Sequence, residues 1–154
     1  MTENTATHHR TLRILLGATA VYAVLGLAAG LFYREFTKAN GYPEGFAGQL
    51  GLAHTHILTL GMLVLLIVLV LEKVFRLSTS RLLRWFFWIY NFGVVLTTGL
   101  LVWHGILQVK GLEGSGMISG IAGLGHILIG AGFVLLLLNL NVALRRDARA
   151  TIAS

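Results

Sequence analysis

The sequence predicts an all-α fold, an integral membrane four-helix bundle with its N and C termini in the cytoplasm. Of its 154 residues, 56% are hydrophobic and only 12% are charged, whereas about 25% of the residues of a soluble domain are charged. Four long windows contain no charged residue at all: 14–33, 45–71, 85–109 and 114–144. Each reaches the length of about 20 apolar residues that a helix needs to cross a bilayer core.

The twelve Lys and Arg set the predicted orientation, because the loops rich in these residues face the cytoplasm. Nine lie on one side of the four windows: Arg10, Arg13, Lys73, Arg76, Arg81, Arg84, Arg145, Arg146 and Arg149. The other side holds three: Arg34, Lys38 and Lys110. The net charge of +6 is therefore interpreted as a topology signal, and no nucleic-acid partner is expected.

Before the first window, residues 1–13 are predicted to form a polar cytoplasmic tail in which His8 and His9 are solvated. Residues 14–144 form the four-transmembrane-helix domain, and residues 145–154 form a cytoplasmic C-terminal tail. Helix one contains a GxxxG pair, Gly26 and Gly30, and helix four contains another, Gly116 and Gly120. Such pairs allow helices to approach closely in lipid.

The candidate ligating residues lie on helices two, three and four. Helix two contains His54 and His56 within "AHTHILTLGM", helix three contains His104, and helix four contains His126. All four are predicted to lie in the outer half of the bilayer, where ionisable side chains are costly and usually functional. The chain has no cysteine, and the windows contain no Asp, Glu, Lys or Arg. Ligation by imidazole alone suits haem iron, copper or zinc.

The residues around two of these histidines favour haem. The face of His54 includes Gly51 and Gly61, and the face of His126 includes Gly123 and Gly130. These faces leave space for the edge of a porphyrin above and below an axial imidazole. We therefore predict a haem b-binding membrane protein with His54 and His126 as the axial pair.

Two other interpretations stay open. His56 and His104 are either hydrogen-bonding partners of the haem ligands or, with His54 as a possible third ligand, a copper or zinc site. Alternatively, the protein is a structural or assembly subunit whose histidines bond helices to one another. Measured iron and copper contents distinguish these classes.

The spacing of His54 and His56 also bears on assembly. They lie about 200° apart around a helix, so in a lone bundle one of them is expected to face lipid. A neighbouring copy would cover that face, and we predict a homo-oligomer with helix two at or near the interface.

Three segments, "AHTHILTLGM", "WHG" and "GLGHILIGAG", resemble an uncharacterised bacterial family of small four-helix membrane proteins, a domain of unknown function. The first is also similar to the second helix of haem–copper oxidase catalytic subunits, where Ala-His followed by apolar residues and Met carries a low-spin haem ligand. The resemblance implies a haem ligand at His54 and a multi-pass protein in the lipid bilayer of the bacterial cytoplasmic membrane, and it leaves the redox partner unknown. The three four-helix arcs of the oxidases favour a trimer over a dimer. The oxidase motif with a tyrosine-linked copper ligand is missing from this chain, and His126 has no oxidase counterpart.

Overall fold

The computed structural model describes residues 2–112 and 116–153, and within them every regular element is helical. The elements are α1 (Thr2–Ala39), α2 (Gln49–His56), a π-helical segment (Ile57–Leu63), α3 (Val64–Phe75), a 3₁₀ turn (Leu77–Thr79), α4 (Leu82–Val109) and α5 (Gly116–Ala153). Four spans are long and apolar enough to cross a membrane: Ala6–Ala39, Gln49–Phe75, Leu82–Val109 and Gly123–Arg149. The prediction of an all-α fold with four such helices is confirmed.

The helices extend past the charge-free windows because a charged residue beyond the apolar layer does not break a helix. α1 begins at Thr2, so most of the segment predicted as a polar tail is helical. α5 continues to Ala153. The predicted start of the fourth window, residue 114, lies outside the described residues.

The helices pack in chain order. α1 lies along the whole second span, α2 packs against α4, and α4 packs along α5. Buried apolar side chains from all four spans form the core, including Leu15, Leu65, Phe86, Tyr90 and Ile129. This order places α1 and α5 on different sides of the second span, and it decides which neighbour each histidine meets.

The second span is not the uninterrupted α-helix that its composition predicts. In its π-helical segment, which starts directly after His56, each N–H reaches back five residues instead of four. Such segments are rare and often mark functional positions. The Tyr90 hydroxyl on α4 donates to the Leu60 carbonyl at 2.9 Å, which gives a backbone acceptor of this segment a partner from a neighbouring helix.

Candidate functional site

His56 and His126 are brought together by the fold. Their ring centroids lie 6.5 Å apart, and their planes are nearly perpendicular, at 82°. His56 ends α2 and is half-buried, whereas His126 lies on α5 and is exposed. The two imidazoles therefore face each other across the gap between the second and the fourth span.

The hydrogen bond of His56 fixes the tautomer of its neutral imidazole. Nδ1 lies 2.8 Å from the Leu52 carbonyl oxygen, one turn earlier in α2. A carbonyl oxygen only accepts, so Nδ1 carries the proton and Nε2 keeps its lone pair. Metal-binding histidines are commonly oriented in this way, with the second nitrogen bonded to a carbonyl.

Open space adjoins His126. A methyl group at Gly123 or at Gly130 would meet no neighbouring atom within 4 Å. These are the two glycines that the sequence places on the face of His126. The arrangement provides room beside the imidazole for a flat ligand.

His54, by contrast, lies against α1. Its Nδ1 donates to the Gly26 carbonyl at 2.8 Å, and a methyl group at Gly30 would lie 2.8 Å from its Cε1. The first GxxxG pair thus serves helix packing by receiving the Leu58 and His54 side chains. The predicted axial partner, His126, is instead placed beside His56.

The glycines predicted to make room beside His54 are used for packing on α1. Tyr33 lies against Gly51, with its Cζ 3.5 Å from a methyl group built there, and the Tyr22 ring fills the space at Gly61. The glycines flanking His54 and His126 therefore have opposite surroundings, although each histidine has a glycine three residues before it and a second glycine on the same face. Tyrosine side chains from α1 make the difference.

His104 is half-buried on α4, near the start of α2. One position on, a methyl group at Gly105 would lie 2.6 Å from the Leu50 backbone nitrogen. Four positions on, the Gln108 side-chain oxygen accepts the Gln49 N–H at 3.1 Å. In the parts of the chain that the structure describes, no three His, Cys, Asp or Glu side chains form a group able to hold a metal ion. His54, His56 and His104 are accordingly not gathered into one site.

A cleft at the C-terminal end of α1 offers a second site near a histidine. Its volume is about 610 Å³, and His54, Gly30, Arg34, Lys38 and Glu44 are among its lining residues. Since Nδ1 of His54 is bonded to Gly26, only Nε2 is available for a ligand in this cleft. Its size lies within the ordinary range for small-molecule sites.

The end of the bundle where α1 begins and α3 ends contains a buried pair that the sequence did not reveal. His8 is 8% exposed and Glu72 is 0% exposed, and Nδ1 of His8 lies 2.7 Å from Oε1 of Glu72. The expectation of a solvated His8 is therefore wrong, because α1 continues through it and packs on the end of α3. His9 is exposed as expected. The available signal was that no Gly or Pro separates His8 from the apolar part of α1.

In the described residues, these features define a class, a four-helix protein with the helices of a multi-pass membrane protein and at least one histidine on each of the four spans. Residues 12–143 match the family described as "Protein of unknown function (DUF2871)". The chain belongs to this uncharacterised family. No curated protein and no solved structure matches it.

Proposed function

We propose that the protein binds haem b in the membrane through His56 and His126 as axial ligands. The observation that carries the proposal is the 6.5 Å separation of the two ring centroids. If both imidazoles bound one metal ion, each metal–nitrogen bond would be about 2.0 Å long. Adding the distance from each nitrogen to the centre of its ring gives about 6 Å between ring centres. The space beside Gly123 and Gly130 supports the same assignment.

The chain's own residues determine what such a site does. The Leu52 carbonyl holds the His56 ring and fixes its tautomer, while the helices around both histidines hold the pair in apolar surroundings. Haem iron bound by two imidazoles exchanges single electrons and has no open position for a gas. This pair therefore supports a redox role better than it supports a role in gas binding. The likeness of "AHTHILTLGM" to the oxidase helix supports haem, but that likeness points to His54 rather than to His56.

Absorption spectra of the purified protein, oxidised and dithionite-reduced, test the proposal. The expected result is a Soret band and sharp reduced bands of a low-spin haem b. His56→Ala and His126→Ala are expected to abolish the low-spin spectrum, and His9→Ala, which removes an exposed imidazole, is the matched control.

Three results would contradict the assignment. A colourless protein from haem-replete cells would leave the histidines as bonds between helices, a role that the His54–Gly26 hydrogen bond favours. Loss of the spectrum in His54→Ala alone would place the haem in the cleft at the C-terminal end of α1. Copper or zinc without iron in elemental analysis would favour the histidine metal site.

The distribution of Lys and Arg further supports an orientation with both termini in the cytoplasm, in a bacterial cytoplasmic membrane. His56 and His126 then lie in the outer half of the bilayer. Reporter fusions at either terminus give the orientation directly: activity of a reporter that functions only outside the cytoplasm would overturn it.

A further inference from the structure

A groove at the basic end of the bundle combines cations with apolar side chains. It lies between the first turns of α1 and the start of α4, and its volume is about 530 Å³. Its polar lining consists of Thr7, Arg10, Thr11, Ser78, Thr79, Ser80, Arg81 and Arg84. Its apolar lining consists of Ile14, Leu15, Leu83, Phe87 and Trp88. The groove is therefore amphipathic, as a lipid is.

The polar half favours an anion. Arg10, Arg81 and Arg84 are exposed, and within the described residues none of the three forms a salt bridge with a carboxylate. No Asp or Glu lines the groove. Three guanidinium groups that line one groove concentrate positive charge there, and a bound phosphate would offset that charge with charge-assisted hydrogen bonds.

The backbone adds to this preference. The Ser80 hydroxyl oxygen accepts the Leu82 N–H at 3.2 Å, so its own O–H stays a donor at the start of α4. The N-terminus of a helix carries partial positive charge. Glu72, the nearest buried acid along the chain, does not line the groove, and its carboxylate oxygens are occupied by hydrogen bonds with His8 and Ser78.

The apolar half fits acyl chains. Trp88 is 67% exposed and Ile14 is 48% exposed, and both lie on spans of membrane-crossing length. A free phosphate would leave this apolar surface uncovered, whereas a phospholipid would cover both halves. Basic pockets between transmembrane helices are known to receive anionic lipid headgroups.

We propose that this groove is a binding site for an anionic phospholipid, with the headgroup phosphate at Arg10, Arg81 and Arg84 and the acyl chains along Ile14, Phe87 and Trp88. The site is separate from the histidine pair, and the proposal does not depend on haem.

The test uses the full-length protein in a neutral detergent, titrated with phosphatidylglycerol, phosphatidylcholine or inorganic phosphate. Native mass spectrometry counts the bound lipids, and thermal unfolding follows stability. Phosphatidylglycerol is expected to bind at one copy per chain and to raise Tm, with a dependence on salt that phosphatidylcholine does not show.

Two matched double variants locate the site. Arg10→Gln/Arg84→Gln is expected to weaken phosphatidylglycerol binding by about tenfold or more. Arg13→Gln/Lys73→Gln removes two cations from the same end of the molecule outside the groove and is expected to bind as the unmodified protein does. Arg81→Gln/Arg84→Gln serves as a second groove variant if the first unfolds.

Equal binding of the two lipids would overturn the proposal, as would equal weakening in the groove and control variants. A rise in Tm with inorganic phosphate as large as that with phosphatidylglycerol would identify a free-anion site and exclude the lipid.

Discussion

Glu72 shows how a single carboxyl group can join several segments in an otherwise apolar bundle. Its Oε2 accepts the Ser78 N–H at 2.8 Å, and its Oε1 accepts the Ser78 hydroxyl at 2.6 Å and contacts His8. A buried carboxyl group is tolerated only when hydrogen bonds replace its lost hydration. These bonds tie the first turns of α1 to the end of α3 and to the turn that follows.

Glu72→Ala is expected to lower the free energy of unfolding by about 2–4 kcal/mol, because the buried His8 and the half-buried Ser78 both lose their hydrogen-bond partner. Thermal unfolding in detergent measures the change. Glu35→Ala is the control, since Glu35 forms an exposed pair with Arg34 at 3.5 Å that contributes about 0.5 kcal/mol or less. Equal changes in the two variants would show that the Glu72 bonds do not stabilise the fold.

The histidines show what a helical period does and does not predict. The period separates the faces of His54 and His56, and the structure places them against α1 and beside α5 respectively. It does not say which helix lies on which face, since that depends on the packing order of all four spans. This is why the sequence pairs His126 with His54, whereas the structure pairs it with His56.

At the scale of the helices, α4 and α5 approach each other closely where small residues meet. A methyl group at Gly93 would lie 2.9 Å from the Ile129 backbone nitrogen and 3.0 Å from the Gly125 carbonyl oxygen. Backbone atoms cannot rotate aside as a side chain does. The contact therefore requires glycine at this position, and it fixes the depth of α5, and with it of His126, relative to α4.

Gly93→Ala is expected to destabilise the protein by about 1–3 kcal/mol, because the added methyl group forces two backbones apart. Gly99→Ala, on the same helix, is the control: its methyl group meets nothing within 4 Å, and alanine is the better helix former by about 1 kcal/mol. Thermal unfolding of both variants gives the comparison. A Gly93→Ala protein as stable as Gly99→Ala would contradict the tight contact.

Composition predicts neither the ends of the helices nor the π-helical segment. Charge-free windows predict the number of spans because lipid excludes charged groups, and four are found. The π-helical segment has no such signal, because a helix whose hydrogen bonds span five residues can have the same composition as one whose bonds span four. Its Leu60 carbonyl is bonded by Tyr90 of another helix, a tertiary contact that the local sequence cannot express.

At the scale of the whole molecule, the structure removes one of the grounds for expecting an oligomer. The prediction of a homo-oligomer depended on one imidazole of the second span facing lipid without a partner. Both have acceptors within the chain, His54 at Gly26 and His56 at Leu52. What still favours a second copy is the exposed side of His126 at the gap beside His56 and the open surface at Gly120.

We predict that the protein in mild detergent has a mass that is a multiple of the 16.7 kDa chain, with a trimer favoured over a dimer, and that a neighbouring copy covers the open side of this gap. Closed cyclic assemblies are the rule for such proteins. Gly120→Leu is expected to yield monomers, because a bulky side chain there obstructs the close approach of another helix. Gly17→Leu, which also enters open space, is the control and should keep the native mass. Light scattering with the detergent contribution subtracted measures all three proteins. A single 16.7 kDa chain for the unmodified protein would exclude the oligomer and leave the gap between α2 and α5 facing lipid.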